Sequence, residues 1–448
     1  MNPSLAGYPL LDALRERRSR RFGLGMEIPG GPLAYRSRHA PAPLTEDEEA
    51  ALVFAAAGIT GPALLDLCFA PGHGGGIMAG AVARTVASGD ALQSVALFVI
   101  NDAGVWHARR PQELSAEAQR EVMALNRAGD FTAAWRRLRV HIRPDRVHPP
   151  VAPITNLNLN RWGLPAPGGT IFLPVSDLTP MYVNGLLEVL NEDTGVMILD
   201  ERANFRPAGL ANFARSRGGH LDDDPRHGKV VTIRQVEQFV TDFVNLEAGM
   251  VLQNLGLMTQ ALGLGGWCHF ANHDYAWTEA LGFASRTLSA GEYLGANALV
   301  KLGLRLLGKD VPVPLAHALV AGGETLLAAL CPPNFATMRD AVQALLDRKH
   351  GPRGAFTDPD GVTAWRERDA VRSGIARVSE RAVAATVAYC DYVWGRYGRF
   401  PSQVPPFRTG LAHQVIHVDA EFYNRFYRAE ALSPAQREDC VRTAGQGG

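Results

Sequence analysis

The sequence predicts a mixed helix-and-sheet architecture, and three observations carry that prediction. Residues 94–101 (SVALFVIN), 170–175 and 196–199 are apolar, β-branched runs of strand length bounded by turn residues. Residues 232–264 spread Phe243, Leu246, Met250, Leu257, Met258, Ala261 and Leu262 over most of a helical surface, the pattern of a helix buried on several sides by its own domain and a second subunit. Thr45, with Glu48 three residues on, forms a capping-box signal that opens an apolar helix over 49–57, which Gly58 ends. A chain of 448 residues that is 46% hydrophobic can bury one elaborated core or two ordinary ones.

The elements follow one another with clear punctuation. Residues 12–20 read as a short helix running into an arginine block, and the Gly/Pro-rich stretch after it cannot stay helical. Between the strands over 94–101 and 170–175 lie a charged, Trp-containing helical stretch (115–139) and a Pro-rich connector (144–167), which together read as an insertion or lid. Beyond the long helix come helical regions over about 292–307 and 368–394, and a closing strand-like segment over 414–422. The expected organisation is a domain over 1–310 with an insertion at about 105–168, then a C-terminal extension over 311–448 that forms a dimer or covers substrate.

Composition removes several classes. Lys+Arg and Asp+Glu are both 45, so there is no excess positive field to hold nucleic acid or an anionic membrane, and any anion site must be local. The five cysteines are scattered, without a C-x-x-C pair, which argues against a disulfide framework, a zinc knuckle or an iron-sulfur cluster. A reducing cytoplasm is the expected setting. The first residues lack the pattern of a secretion signal, and no stretch approaches the roughly 20 apolar residues a membrane helix needs.

Four short segments carry the chemistry. Arg17, Arg18, Ser19 and Arg21 sit at a helix end, where guanidinium forks and a hydroxyl suit a phosphate dianion. The helix over 52–60 (LVFAAAGIT) ends in Gly58. Arg84 precedes Ser88 and Gly89 just before a strand, where a glycine lets backbone approach a ring or phosphate closely. Gly263, Gly265 and Gly266 end the long helix, where a glycine stop can bring bare backbone up to a ligand.

Taken together, these four segments resemble the nitroreductase-like flavoproteins, and within them the branch of azoline oxidases and streptolysin-maturation dehydrogenases. That branch shows an Arg-Arg-Ser-x-Arg block, a Leu-x-x-Ala-x-x-Gly-Ile-Thr helix end, an Arg-x-x-x-Ser-Gly-Gly-Ala-Leu loop and a Glu-Ala-Gly…Gln-Asn-x-x-Leu…Leu-Gly-Leu-Gly helix. Here they fall at 17–21, 52–60, 84–92 and 247–265. Three positions depart: Asp90 replaces the second loop glycine, Phe22 follows Arg21 one position early, and the proline before the strand is missing near Ser94. The resemblance implies an α+β three-layer α-β-α sandwich binding FMN at a homodimer interface. It implies that Arg17, Arg18, Ser19 and Arg21 hold the phosphate and ribityl chain, that Ser88 and Gly89 lie near the isoalloxazine with Arg84 just before them, and that Gly265 and Gly266 line its other side. Hydride would pass through flavin N5, with NAD(P)H or the substrate itself as donor and a small-molecule or modified-peptide substrate. The catalytic side chain is unknown from sequence, with a Tyr or Lys base an option in this branch.

Other readings compete. Residues 64–79 outline a dinucleotide turn, but no acid-ended second strand follows it. His73-Gly74-Gly75-Gly76 looks like an esterase oxyanion loop without a G-x-S-x-G nucleophile. His269, His273 and Asp274, and separately His413, His417, Asp419 and Glu421, have spacings compatible with a divalent metal; the last three could equally be the polar edge of a strand. Cys268 beside Trp267 reads as inert packing. A flavin-fold scaffold without turnover is the remaining class, motivated by Asp90 and by the aromatic-rich C-terminal portion.

Overall fold

In the computed structural model, residues 5, 7–67, 76–148, 163–164, 166–270 and 274–444 are described. The His73-Gly74-Gly75 motif, His273 and most of the Pro-rich connector lie outside them. An antiparallel sheet of seven strands organises the chain: β1 (Val95–Asn101), β2 (Gly104–Ala108), β3 (Arg139–Arg143), β4 (Thr170–Asp177), β5 (Gly265–Phe270), β6 (Phe407–Arg408) and β7 (Leu411–Ile416). Their spatial order is β5-β7-β4-β1-β2-β3, with β6 pairing to β4. The expected strands over 94–101, 170–175 and 196–199 are all present, the last as Met197–Asp200 in a separate three-stranded sheet.

Strand alternation divides the core. On β1, Val95, Leu97 and Val99 join one cluster while Ala96, Phe98 and Ile100 join another, so both faces of the sheet are buried. One face is covered by α1 (Glu46–Ala57), by α2 (Ala116–Ala128) and α3 (Phe131–Leu138), and by the C-terminal half of α5 (Ile233–Ala261). The other is covered by α4 (Leu178–Val189), α6 (Met338–His350) and α7 (Glu380–Tyr397). The class is α+β, with the sheet as the middle of three layers.

Local signals act where the sequence places them. Thr45 and Glu48 form the expected capping box of α1, and Thr232 with Gln235 forms one at the head of α5. The helical stretch over 115–139 is split into α2 and α3 by Gly129, whose φ of 76° is open to glycine at little cost. β2 and β3, from the expected insertion, extend the main sheet. β7, from the expected C-terminal extension, runs between β5 and β4 inside that sheet. The strand expected over 414–422 ends at Ile416, because Asp419 accepts hydrogen bonds from the amides of Glu421 and Phe422 and so caps the helix Ala420–Phe426. Among the described residues no helix is long and apolar enough to cross a membrane.

Candidate functional site

The arginine block is divided by burial. A seven-residue helix, Leu10–Glu16, ends at Arg17, and Arg17, Arg18 and Ser19 are exposed while Arg20 is 2% exposed. Arg20 is an anchor: it donates to the Ala431 carbonyl at 2.7 Å and to Gln260 Oε1 at 2.9 Å. Its burial turns Arg17, Arg18 and Ser19 toward a cleft of about 290 Å³ under α5, opposite Gly249, Gln253 and Gly256. The cleft's other wall is made by Gly266, Trp267 and Cys268 of β5 with Leu411 and His413 of β7. Two regions separated by more than two hundred residues thus share one cavity.

The cleft's cationic side holds uncommitted donors. Arg17 makes no hydrogen bond or ion pair through its side chain among the described residues, and Arg18 reaches only main-chain carbonyls and Glu16 Oε2 at 4.0 Å. On the face of β5 turned away from the cleft, the indole Nε1 of Trp267 and Nε2 of His269 are buried without a hydrogen-bond partner.

His413 has a defined tautomer. The Thr259 hydroxyl donates to the Leu255 carbonyl at 2.7 Å, so at 3.1 Å it can only accept from His413 Nε2–H. Nδ1 is therefore the bare nitrogen, 3.6 Å from Cys268 Sγ. Burial, helped by the charges of His269 and Arg17, lowers the His413 pKa to about 3 and keeps the ring neutral. Burial pushes the Cys268 thiol up, with Arg17 opposing. The expectation that Cys268 packs inertly is corrected: it is exposed on β5, because Gly266 and Cys268 share the cleft face while Trp267 and His269 turn away. The Cys268–His413 pairing joins residues 145 positions apart, and no local pattern announces it.

The remaining candidates go elsewhere. Arg21 lies outside the cleft, with its guanidinium 5.7 Å from the centre of the Trp267 ring. Arg84 and Ser88 both bond Glu247, at 2.7 Å each, Arg84 inside the core and Ser88 half-buried. Gly89 packs against α4 and α5, where a Cβ would meet Met181 Cε at 2.6 Å and Phe243 at 3.2 Å. Asp90, at the family's glycine position, keeps a φ of 56° and is held by Asn184 Nδ2 at 2.9 Å. Gly265 faces Val418 and the Arg20 carbonyl, whereas Gly266 faces the cleft, where a Cβ would lie 2.8 Å from Thr259 Cγ2 and 2.9 Å from His413 Nε2.

The sequence-predicted metal donors do not converge as one set. His413 faces the cleft, whereas His417 is buried between Glu48 and Asp439, and Asp419 and Glu421 lie near His39. In the buried trio, Arg442 also bonds Glu48 and Asp439, so two cations already balance the two carboxylates. The group is an ionic lock between α1 and the closing helix, Pro434–Ala444.

No family model and no curated protein matches the chain. Among solved structures it is similar to a Ralstonia eutropha protein provisionally described as a nitroreductase, at 13% identity and a TM-score of 0.30, over 61% of this chain and 76% of that one.

Proposed function

We propose that the chain is an FMN-dependent oxidoreductase of the nitroreductase-like kind, nearest in its motifs to the azoline oxidase branch, and that it works as a homodimer. The observation that carries this reading is the shared cleft: Arg17, Arg18 and Ser19 stand across it from the bare backbone of Gly266. The residues present suit a flavin nucleotide at one end. The Arg17 guanidinium, with Arg18 and the Ser19 hydroxyl beside it, matches a phosphate, while Gly249, Gly256 and Gly266 leave space that side chains would fill. A bound flavin would supply hydride transfer, and the chain's own work is to bind, orient and exclude water. His413 offers an Nδ1 acceptor at the cleft wall with its ring held neutral.

The dimer proposal rests on α5. Phe239, Phe243, Leu246 and Met250 are exposed at helical spacing, and the stripe continues through Gln253 into the cleft. A second copy laid on this stripe would cover it and close the cleft. Gly89 lies beside Phe243 of this stripe, and Phe243 is six residues or roughly 9 Å along the helix from Gly249.

The test is an absorption spectrum of the purified full chain with added FMN, followed by anaerobic mixing with NADH and NADPH. Yellow protein whose flavin occupancy falls at least tenfold in R17Q/R18Q is the expected result. Bleaching by a nicotinamide would assign a reductase, and its absence a substrate dehydrogenase. A folded chain that takes up no FMN sinks the proposal.

A further inference from the structure

A second cavity, of about 460 Å³, lies away from the arginine block and is lined by none of the cleft residues. Arg348 and Arg353 form one wall, Ser115 and Gln119 at the head of α2 another, and Gln112 and Asp358 complete its polar lining. We infer that this cavity is a binding site for a small polar ligand carrying an oxyanion, with Arg348 and Arg353 as its cationic contacts.

The charge count makes the case. Arg348 and Arg353 are both exposed, and neither makes a side-chain hydrogen bond or ion pair within 4.0 Å among the described residues. The carboxylates nearest in charge to Arg348 are Asp177 and Glu113, and both are taken by another cation. Arg110 bonds Glu113 at 2.7 Å and lies 3.6 Å from Asp177, while His107 holds the second oxygen of Glu113 at 2.9 Å. The carboxylate of Asp358 on the cavity wall accepts from the Asp360 amide at 3.0 Å and its charge acts on Arg372, so Arg348 is left without a protein partner, and an oxyanion would offer its guanidinium two parallel hydrogen bonds.

The loop is built to keep the two arginines together. After α6 the chain folds back, with the Ala355 amide on the Arg348 carbonyl at 2.8 Å and the Phe356 amide on the Lys349 carbonyl at 3.0 Å. Gly354 permits that return, since a Cβ there would lie 2.7 Å from the Lys349 carbonyl group. Across the cavity, Ser115 caps the 13-residue α2, so the positive end of that helix adds to the field. The neutral lining has the opposite polarity. Gln112 and Gln119 spend their amide N–H groups on main-chain carbonyls, which leaves Oε1 on each as an acceptor. The ligand class is therefore an oxyanion with hydrogen-bond donors on the same small molecule, and its anion is a carboxylate or a phosphate.

Titration calorimetry of the full chain tests this, in an R17Q/R18Q background that silences the other arginine pair. The probes are inorganic phosphate and succinate, one for each anion, with and without R348M or R353M. One saturable site for at least one probe, weakened roughly tenfold or more by R348M and by R353M, is expected. Which probe binds assigns the anion. The inference is overturned if neither probe binds, or if binding survives R348M/R353M in a chain whose thermal unfolding remains cooperative.

Discussion

Arg84 Nη2 meets Glu247 Oε1 at 2.7 Å, with both side chains 2% exposed. The same carboxylate accepts from Ser88 Oγ at 2.7 Å and from the Val95 amide at 3.0 Å, so one α5 residue fastens the loop over 84–93 to the first strand of the sheet. Arg84 in turn donates to Gln93 Oε1 at 2.6 Å and to the Val95 carbonyl at 3.0 Å. Arg84, Ser88 and Glu247 thus hold this loop in place.

Truncating one partner should therefore be far more damaging than replacing both. Glu247→Gln leaves a buried guanidinium without its charge partner, a change worth about 3–5 kcal/mol, whereas an apolar pair of similar volume at both positions is expected to recover much of that loss. Urea unfolding of E247Q, E247M, R84M and E247M/R84M measures it. Equal and additive losses would show that the pair is not coupled.

The fold was readable where local chemistry decides it. The Thr45 capping box, the strand at Val95–Asn101 and the long helix Ile233–Ala261 follow from residues close in sequence, and the sequence marks them to within a few positions. Contacts at long separation were not readable. Nothing near Arg20 distinguishes it from Arg17 or Arg18; its burial depends on Ala431 and Gln260, and that burial decides which arginines reach the cleft. Residues 414–422 read as a closing strand, yet the strand that forms, Leu411–Ile416, takes its place between two others by pairing with Gly265–Phe270 and Thr170–Asp177. The alternation of His417, Asp419 and Glu421 looks like a strand edge until Asp419 caps a helix and breaks it.

His417 sets a pH limit on stability. Burial disfavours its charged form, but Asp439 Oδ2 at 3.0 Å and Glu48 Oε2 at 3.5 Å outweigh that and raise its pKa to about 9. The folded state thus holds a proton that the unfolded chain releases near its ordinary value of 6.5. The contribution is fully present below about pH 6.5 and is lost as pH rises through about 9, on the order of 3 kcal/mol in all. Glu48 works from the acid side: against burial, His417, the Thr45 amide and Arg442 lower it to about 2, so its contribution is present above about pH 4.5 and fades as pH falls through 2. Thermal melts from pH 6 to 10 should show the wild type losing stability above neutrality, while H417Q starts lower and stays flatter. Parallel curves would remove His417 from this role.

Gly266 is the position where fold and cleft are hardest to separate. Its would-be Cβ falls 2.8 Å from Thr259 Cγ2 and 2.9 Å from His413 Nε2, and the Thr259 hydroxyl is tied both to His413 and to Leu255. Gly266→Ala must push that chain of hydrogen bonds apart, and overpacking of this kind costs about 1–3 kcal/mol. His413 would then lose the bond that fixes its tautomer. Nitrogen-15 NMR reads this directly: the wild-type ring should remain neutral, with its proton on Nε2, down to about pH 4, because burial holds its pKa at about 3. In G266A the same ring should titrate at higher pH and show mixed tautomers, with a matching fall in flavin occupancy. An unchanged tautomer alongside lost flavin binding would mean that Gly266 acts on the ligand by space alone, and that His413 takes no part in the cleft's chemistry.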